Sequence, residues 1–179
     1  MEPSSFALER PRRLCYLRVD TRSVDRDLML IEGHLKRLGD LTIEPIKDLS
    51  APGAFPCDLL LVGAQRVPEK DFYQWFESFR NRVVGAGSIW TPALILAEVS
   101  FETLRDLLLE AIRDNWYFDI VSPQQVSSLP IRVANLLRIH DHLHELKRYA
   151  HAMDSIQNQV QDLERQVASL SQARPVSKP

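Results

Sequence analysis

The sequence predicts an α/β protein, a doubly wound parallel sheet whose last helix runs on into a coiled coil. Three observations carry this. Short apolar, β-rich runs alternate with amphipathic helical stretches along residues 13–140, the order that yields a parallel sheet with helices on both faces. Two of those runs, Asp58-Leu59-Leu60-Leu61-Val62 and Pro92-Ala93-Leu94-Ile95-Leu96-Ala97, are continuously apolar, as strands buried on both faces are. Finally, no Gly or Pro interrupts the chain between Pro130 and Pro175, and apolar residues recur there at steps of three and four.

Residues 1–12 are polar and proline-bearing and read as a flexible N-terminus. Leu14 to Val19 is the first strand. Ser23 is placed to cap a helix with Leu28, Ile31, Leu35 and Leu38 on its apolar face and Gly39 as its stop. Leu41 to Ile46 alternates as a second strand. The segment 47–56 holds two prolines and a glycine, so a helix there is cut to a turn. After the third strand, Pro68 opens a helix with Phe72, Phe76, Phe79 and Val83 on one face, closed by Gly85 and Gly87. The fourth strand follows. Ser100 then caps a helix reaching Asn115, with Leu104, Leu108, Ala111 and Ile112 inward. Tyr117 to Val121 is the fifth strand, and Ser122-Pro123 leads through a polar turn to the long helix.

That helix, residues 130–172, would be roughly 60 Å long at 1.5 Å per residue. Its seam reads Leu136, Ile139, Leu143, Leu146, Ala150, Met153, Ile156, Val160, Leu163, Val167 and Leu170. The steps alternate between three and four except around Met153, where two steps of three adjoin; such a stammer locally overwinds a coiled coil. A stripe this narrow is buried most simply by a second copy of the chain, so a homodimer is expected. Residues 173–179 read as a linker or tail.

Composition excludes several classes. The net charge of −2 gives no basic excess for nucleic acid, and the cluster Arg10, Arg12, Arg13 reads as a solvated lead-in. No run of about 18 apolar residues suggests a membrane span, and the first residues lack a secretory pattern. Cys15 and Cys57, each beside an apolar run, read as buried thiols in a reducing, cytoplasmic compartment. There is no glycine-rich phosphate loop, no paired CxxC and no nucleophile elbow. No cofactor is expected. His140 and His144 share a helix face and form a weak metal-ligand pair, with His151 or a partner chain as a third donor; a solvated flank is the plainer reading. His144-Glu145-Leu146-Lys147 matches the phosphoacceptor box of histidine kinases over four residues only. Trp116, Tyr117 and Phe118 are candidate contact residues beside the fifth strand.

In a doubly wound sheet, functional residues gather at the carboxyl ends of the strands. There the chain resembles the receiver domain of bacterial response regulators, the CheY-like family. Residues 122–138, SPQQVSSLPIRVANLLR, match without a gap the family's Lys-Pro and following helix, agreeing at Pro123, Leu129, Arg132, Val133, Leu136, Leu137 and Arg138. Residues 57–68, CDLLLVGAQRVP, are similar to its third strand, and residues 92–98, PALILAE, to its fourth. The resemblance covers residues 13–138 and implies a flavodoxin-like sheet of order 2-1-3-4-5.

The family's chemistry is what departs. The resemblance implies a phosphoryl-accepting carboxylate at position 63, a hydroxyl at 97, a lysine at 122 and an aromatic switch at 119; the residues are Gly63, Ala97, Ser122 and Asp119. Of the acid pair that would hold magnesium, only Asp20 is well placed. Such a pseudo-receiver is expected to be no enzyme. It would work by protein–protein contact in a bacterial signalling protein, with a partner or a fused output domain as its target. The alternatives are a phosphorylated or ligand- or metal-binding regulator with a relocated site near Asp20, where Glu98 and Asp119 could join in holding a cation, and a stand-alone structural adaptor docking on another coiled coil.

Overall fold

A computed structural model describes residues 10–19, 24–46, 49, 57–85, 91–114 and 116–172. Five parallel strands form one sheet in the order β2-β1-β3-β4-β5, with β1 Arg12–Arg18, β2 Leu41–Ile46, β3 Leu59–Gly63, β4 Ala93–Leu96 and β5 Phe118–Val121. The helices are α1 Val24–Leu35, α2 Glu69–Gly85, α3 Phe101–Asp114 and α4 Leu129–Gln172. This is the doubly wound parallel sheet that the alternation predicts, in the flavodoxin-like order that the resemblance implies. Among the described residues no helix stands between β2 and β3; the proposed turn at 47–56 falls largely outside them, as do Asp20 and the capping Ser23.

The sheet separates two apolar layers, because successive strand residues point to opposite faces. On one face Cys15, Leu60, Val62, Ile95 and Ile120 meet Phe72, Phe76 and Phe79 of α2 and Leu107 of α3. Trp116 closes that layer. It stands 5.7 Å from Phe79 and 5.4 Å from Phe118 between ring centres, and its indole N–H donates to the Thr91 carbonyl at 3.2 Å. On the other face Leu14, Tyr16, Leu59, Leu61, Leu94 and Val121 meet Ile31 and Leu35 of α1 and Leu129, Val133 and Leu137 of α4. Each such side chain, fully buried, contributes about 1.5–3 kcal/mol.

Helix ends follow the expected signals. After α1 a 3₁₀ turn, Lys36–Leu38, is stopped by Gly39 at φ 111°, a left-handed conformation that glycine adopts without a Cβ penalty. The Ser100 hydroxyl accepts the Thr103 N–H at 3.4 Å and so caps α3. Within α3 the inward positions are Leu104 and Leu107; Leu108, expected inside, is exposed. The side chains of Ala111 and Ile112 lie outside the described residues. Trp116 and Phe118 are buried, which leaves Tyr117 as the exposed member of the aromatic trio.

The chain divides into two compact units, residues 1–141 and 142–179. Among the described residues no helix is long and apolar enough to cross a membrane.

Candidate functional site

The carboxyl ends of β1, β3, β4 and β5 are stitched together by backbone hydrogen bonds: Val19 N–H to the Gly63 carbonyl at 3.2 Å, Ala64 to Leu96 at 2.9 Å, and Ala97 to Val121 at 3.1 Å. Positions 63, 97 and 122 are therefore brought to one edge, where the sequence puts them. Gly63 ends β3 and is buried. A Cβ on it would lie 2.5 Å from the Tyr16 hydroxyl and 3.2 Å from the adjoining ring carbon. Tyr16 comes from the neighbouring strand, paired with Leu61, and its ring reaches along the face to position 63. The space a side chain at 63 would need is filled by a phenol. Ala64, next in the chain, is buried and also lacks a nucleophile, and Ala97 is buried without a hydroxyl.

Ser122 is the polar remnant of this edge. Its hydroxyl donates to Gln124 Oε1 at 2.5 Å and accepts the Gln124 N–H at 3.3 Å. Gln124 in turn donates through Nε2 to Glu98 Oε1 at 2.9 Å. Glu98 and Ser122 are thus linked through Gln124 at the mouths of β4 and β5. Asp119 is not part of this link. Its carboxylate accepts from Arg132 of α4 at 2.6 Å and from the Ile120 N–H at 2.8 Å. The Asp119 on which the alternative cation site draws is engaged instead in an ion pair between β5 and α4. Among the described residues no group of three or more His, Cys, Asp or Glu could hold a metal ion. His140 sits beside carboxylates, with Nδ1 3.7 Å from Asp58 and 3.9 Å from Asp141. His144 and His151 are exposed.

Cys15 and Cys57 are buried and reduced, as expected. The hydrogen bond between the two thiols, together with burial, pushes the Cys57 thiol up.

At the opposite, amino edge of the sheet lies a constellation that the sequence did not announce. Arg12, read as solvated, is 6% exposed. Its Nη1 donates to Asp141 Oδ1 of α4 at 2.7 Å, its Nη2 bonds the other carboxylate oxygen, and Asp58 lies 3.6 Å away. Arg10 adds a bond to Asp141 at 2.8 Å. The hydrogen bond from Arg12, reinforced by Arg10, holds the Asp141 carboxyl well below the usual carboxylate range. This bidentate pair fastens the first strand to α4.

In the second unit, every residue from 148 to 169 is exposed. The large apolar side chains left in solvent are Leu146, Tyr149, Met153, Ile156, Val160, Leu163 and Val167. Their steps run 3-4-3-4-3-4. Within this exposed stripe Tyr149, at 69% exposed, stands at the step where the expected seam takes Ala150. The upstream part of the expected seam is corrected. Leu136 lies in the domain core with Ile139 packed against that core, and Leu143 is buried. Leu136 and Ile139 belong to the core of the first unit, and the exposed stripe lies in the second.

No family model matches the chain, and no curated protein matches its sequence. Among solved structures it is similar to a flavodoxin from the domain Archaea, at 12% identity and a TM-score of 0.42, over 70% of this chain and 99% of that one.

Proposed function

We propose that the chain is a non-catalytic, receiver-like signalling module, the regulatory part of a bacterial signalling protein, that acts through protein contacts and pairs with a second copy through α4. The observation that carries the reading is Tyr16 standing where a phosphoacceptor side chain would be. A receiver needs a carboxylate at the end of β3 that a phosphoryl donor can reach. Here the backbone has no Cβ and the volume is occupied by a neighbouring ring. The hydroxyl and the lysine that would hold the phosphoryl oxygens are Ala97 and Ser122, and Ser122 is committed to Gln124.

What supports contact as the mode of action is the second unit. A wholly exposed helix with a seven-residue apolar stripe is marginal alone, since isolated helices draw little stability from propensity; association supplies the rest.

Incubation with acetyl phosphate and magnesium, followed by intact-mass measurement, is expected to give an unchanged mass. A retained phosphoryl group would overturn the non-catalytic reading and return attention to Asp20. Light scattering is expected to give twice the chain mass for the full chain, and the single chain mass for the double variant Val160→Lys, Leu163→Lys.

A further inference from the structure

We infer that α4 from Leu146 onward pairs with the same helix of its second copy in parallel and in register, as a two-stranded coil without a break. The inference rests on the pairing read above and fixes its geometry. An unbroken alternation of three and four assigns Leu146 to a heptad a position and Tyr149 to d, and carries that frame to Leu170. Four heptads sustained this way are long enough to specify a coil.

The residue types then select the orientation. In the two C-terminal heptads Val160 and Val167 hold the a positions, and Leu163 and Leu170 the d positions. In parallel coils β-branched a with leucine d favours two strands, and parallel pairing alone stacks a on a and d on d, so that this segregation of shapes suits each layer. The flanks do not oppose self-pairing. Between residues 150 and 171 the e and g positions are alanines and glutamines apart from Glu164 and Ser171, so like charges are not stacked across a symmetric dimer. The charges sit outside the flanks: Asp162 and Arg165, at c and f, pair with each other at 3.1 Å within one helix. In a parallel pair the two chains leave the coil side by side, a geometry that delivers whatever follows α4 as a twin.

The test uses the full chain with Tyr149→Cys and, separately, Leu163→Cys, each air-oxidised with oxidised glutathione and run without reductant. These sites lie fourteen residues, about 21 Å, apart along the helix. In a parallel, in-register coil both face their own copy at disulfide distance, so most of either variant should run at twice its mass and return on reduction, while the parent chain does not. In an antiparallel coil at most one of the two meets itself. Linking at only one site, or at neither, in protein that light scattering shows to be dimeric overturns the parallel geometry and leaves the pairing standing. A monomer in light scattering overturns both.

Discussion

Gly63→Asp, which would restore a carboxylate to the end of β3, is expected to destabilise the protein by about 3 kcal/mol or more and to gain no phosphoryl group. Two costs combine. Any Cβ at this position meets the Tyr16 hydroxyl at 2.5 Å, and overpacking of a well-filled core costs about 1–3 kcal/mol. The carboxylate is then buried against the Tyr16 ring, a burial that itself costs several kcal/mol unless the group is paired or takes up a proton. Gly63→Ala isolates the first cost and should lose about 1–2 kcal/mol. Since the nearest atom is the hydroxyl and the next, a ring carbon, is at 3.2 Å, Tyr16→Phe should recover about 1 kcal/mol of the alanine variant's loss. Urea unfolding of the two single variants and the double variant measures this coupling. Additive losses would mean that Tyr16 swings aside freely, and an openable cleft would weaken the case for a plugged pocket. A mass gain in Gly63→Asp with acetyl phosphate would refute it outright.

That contact could not be read from the chain. The sequence shows that position 63 has lost its acceptor, because the runs either side of Gly63 fix its place at a strand end. It does not show why the loss is locked in. Tyr16 sits 47 residues earlier in an ordinary β-rich run, and only the register Tyr16–Leu61 brings its ring to that site. Strands and helices were legible because they depend on local periodicity, whereas the sheet order β2-β1-β3-β4-β5 came only from the receiver resemblance. The side on which a borderline residue falls was not. Leu107 and Leu108 are both leucines at helical spacing, and the face of the sheet decides between them. The upstream end of the seam was misplaced for a related reason: Leu136 belongs to the domain core, and steps of three and four pass from Leu136 to Leu146 without marking the change. Small, apolar Ala150 then fits the count as well as amphipathic Tyr149, though Tyr149 has the larger surface to bury.

The amino-edge clamp was hidden more deeply, since a charged residue in a polar lead-in reads as solvated and its partner lies 129 residues away. Its two ends are not equivalent, and this gives an asymmetric prediction. Asp141→Ala leaves the Arg12 guanidinium, 6% exposed, with only Asp58 at 3.6 Å to balance it. Breaking a buried pair this way costs about 3–5 kcal/mol, but Asp141 is 38% exposed and water screens the pair, so about 2 kcal/mol is expected. Arg12→Met removes the buried charge instead and leaves Asp141 near water and Arg10, so its cost should stay below about 1 kcal/mol. If the two losses are equal, the pair contributes through packing and not through charge. The pH dependence follows from the depressed Asp141 carboxyl. Its contribution is complete above the unfolded-state value of about 3.9 and disappears as pH falls through the lower folded value. The parent chain should therefore lose stability below about pH 4 more steeply than Asp141→Asn, which has no proton to take up at this site. Urea midpoints measured from pH 6 down to pH 3 check the difference; parallel curves would show that Arg12 does not hold that carboxylate ionised, and the fastening of β1 to α4 would have to rest on apolar contacts alone.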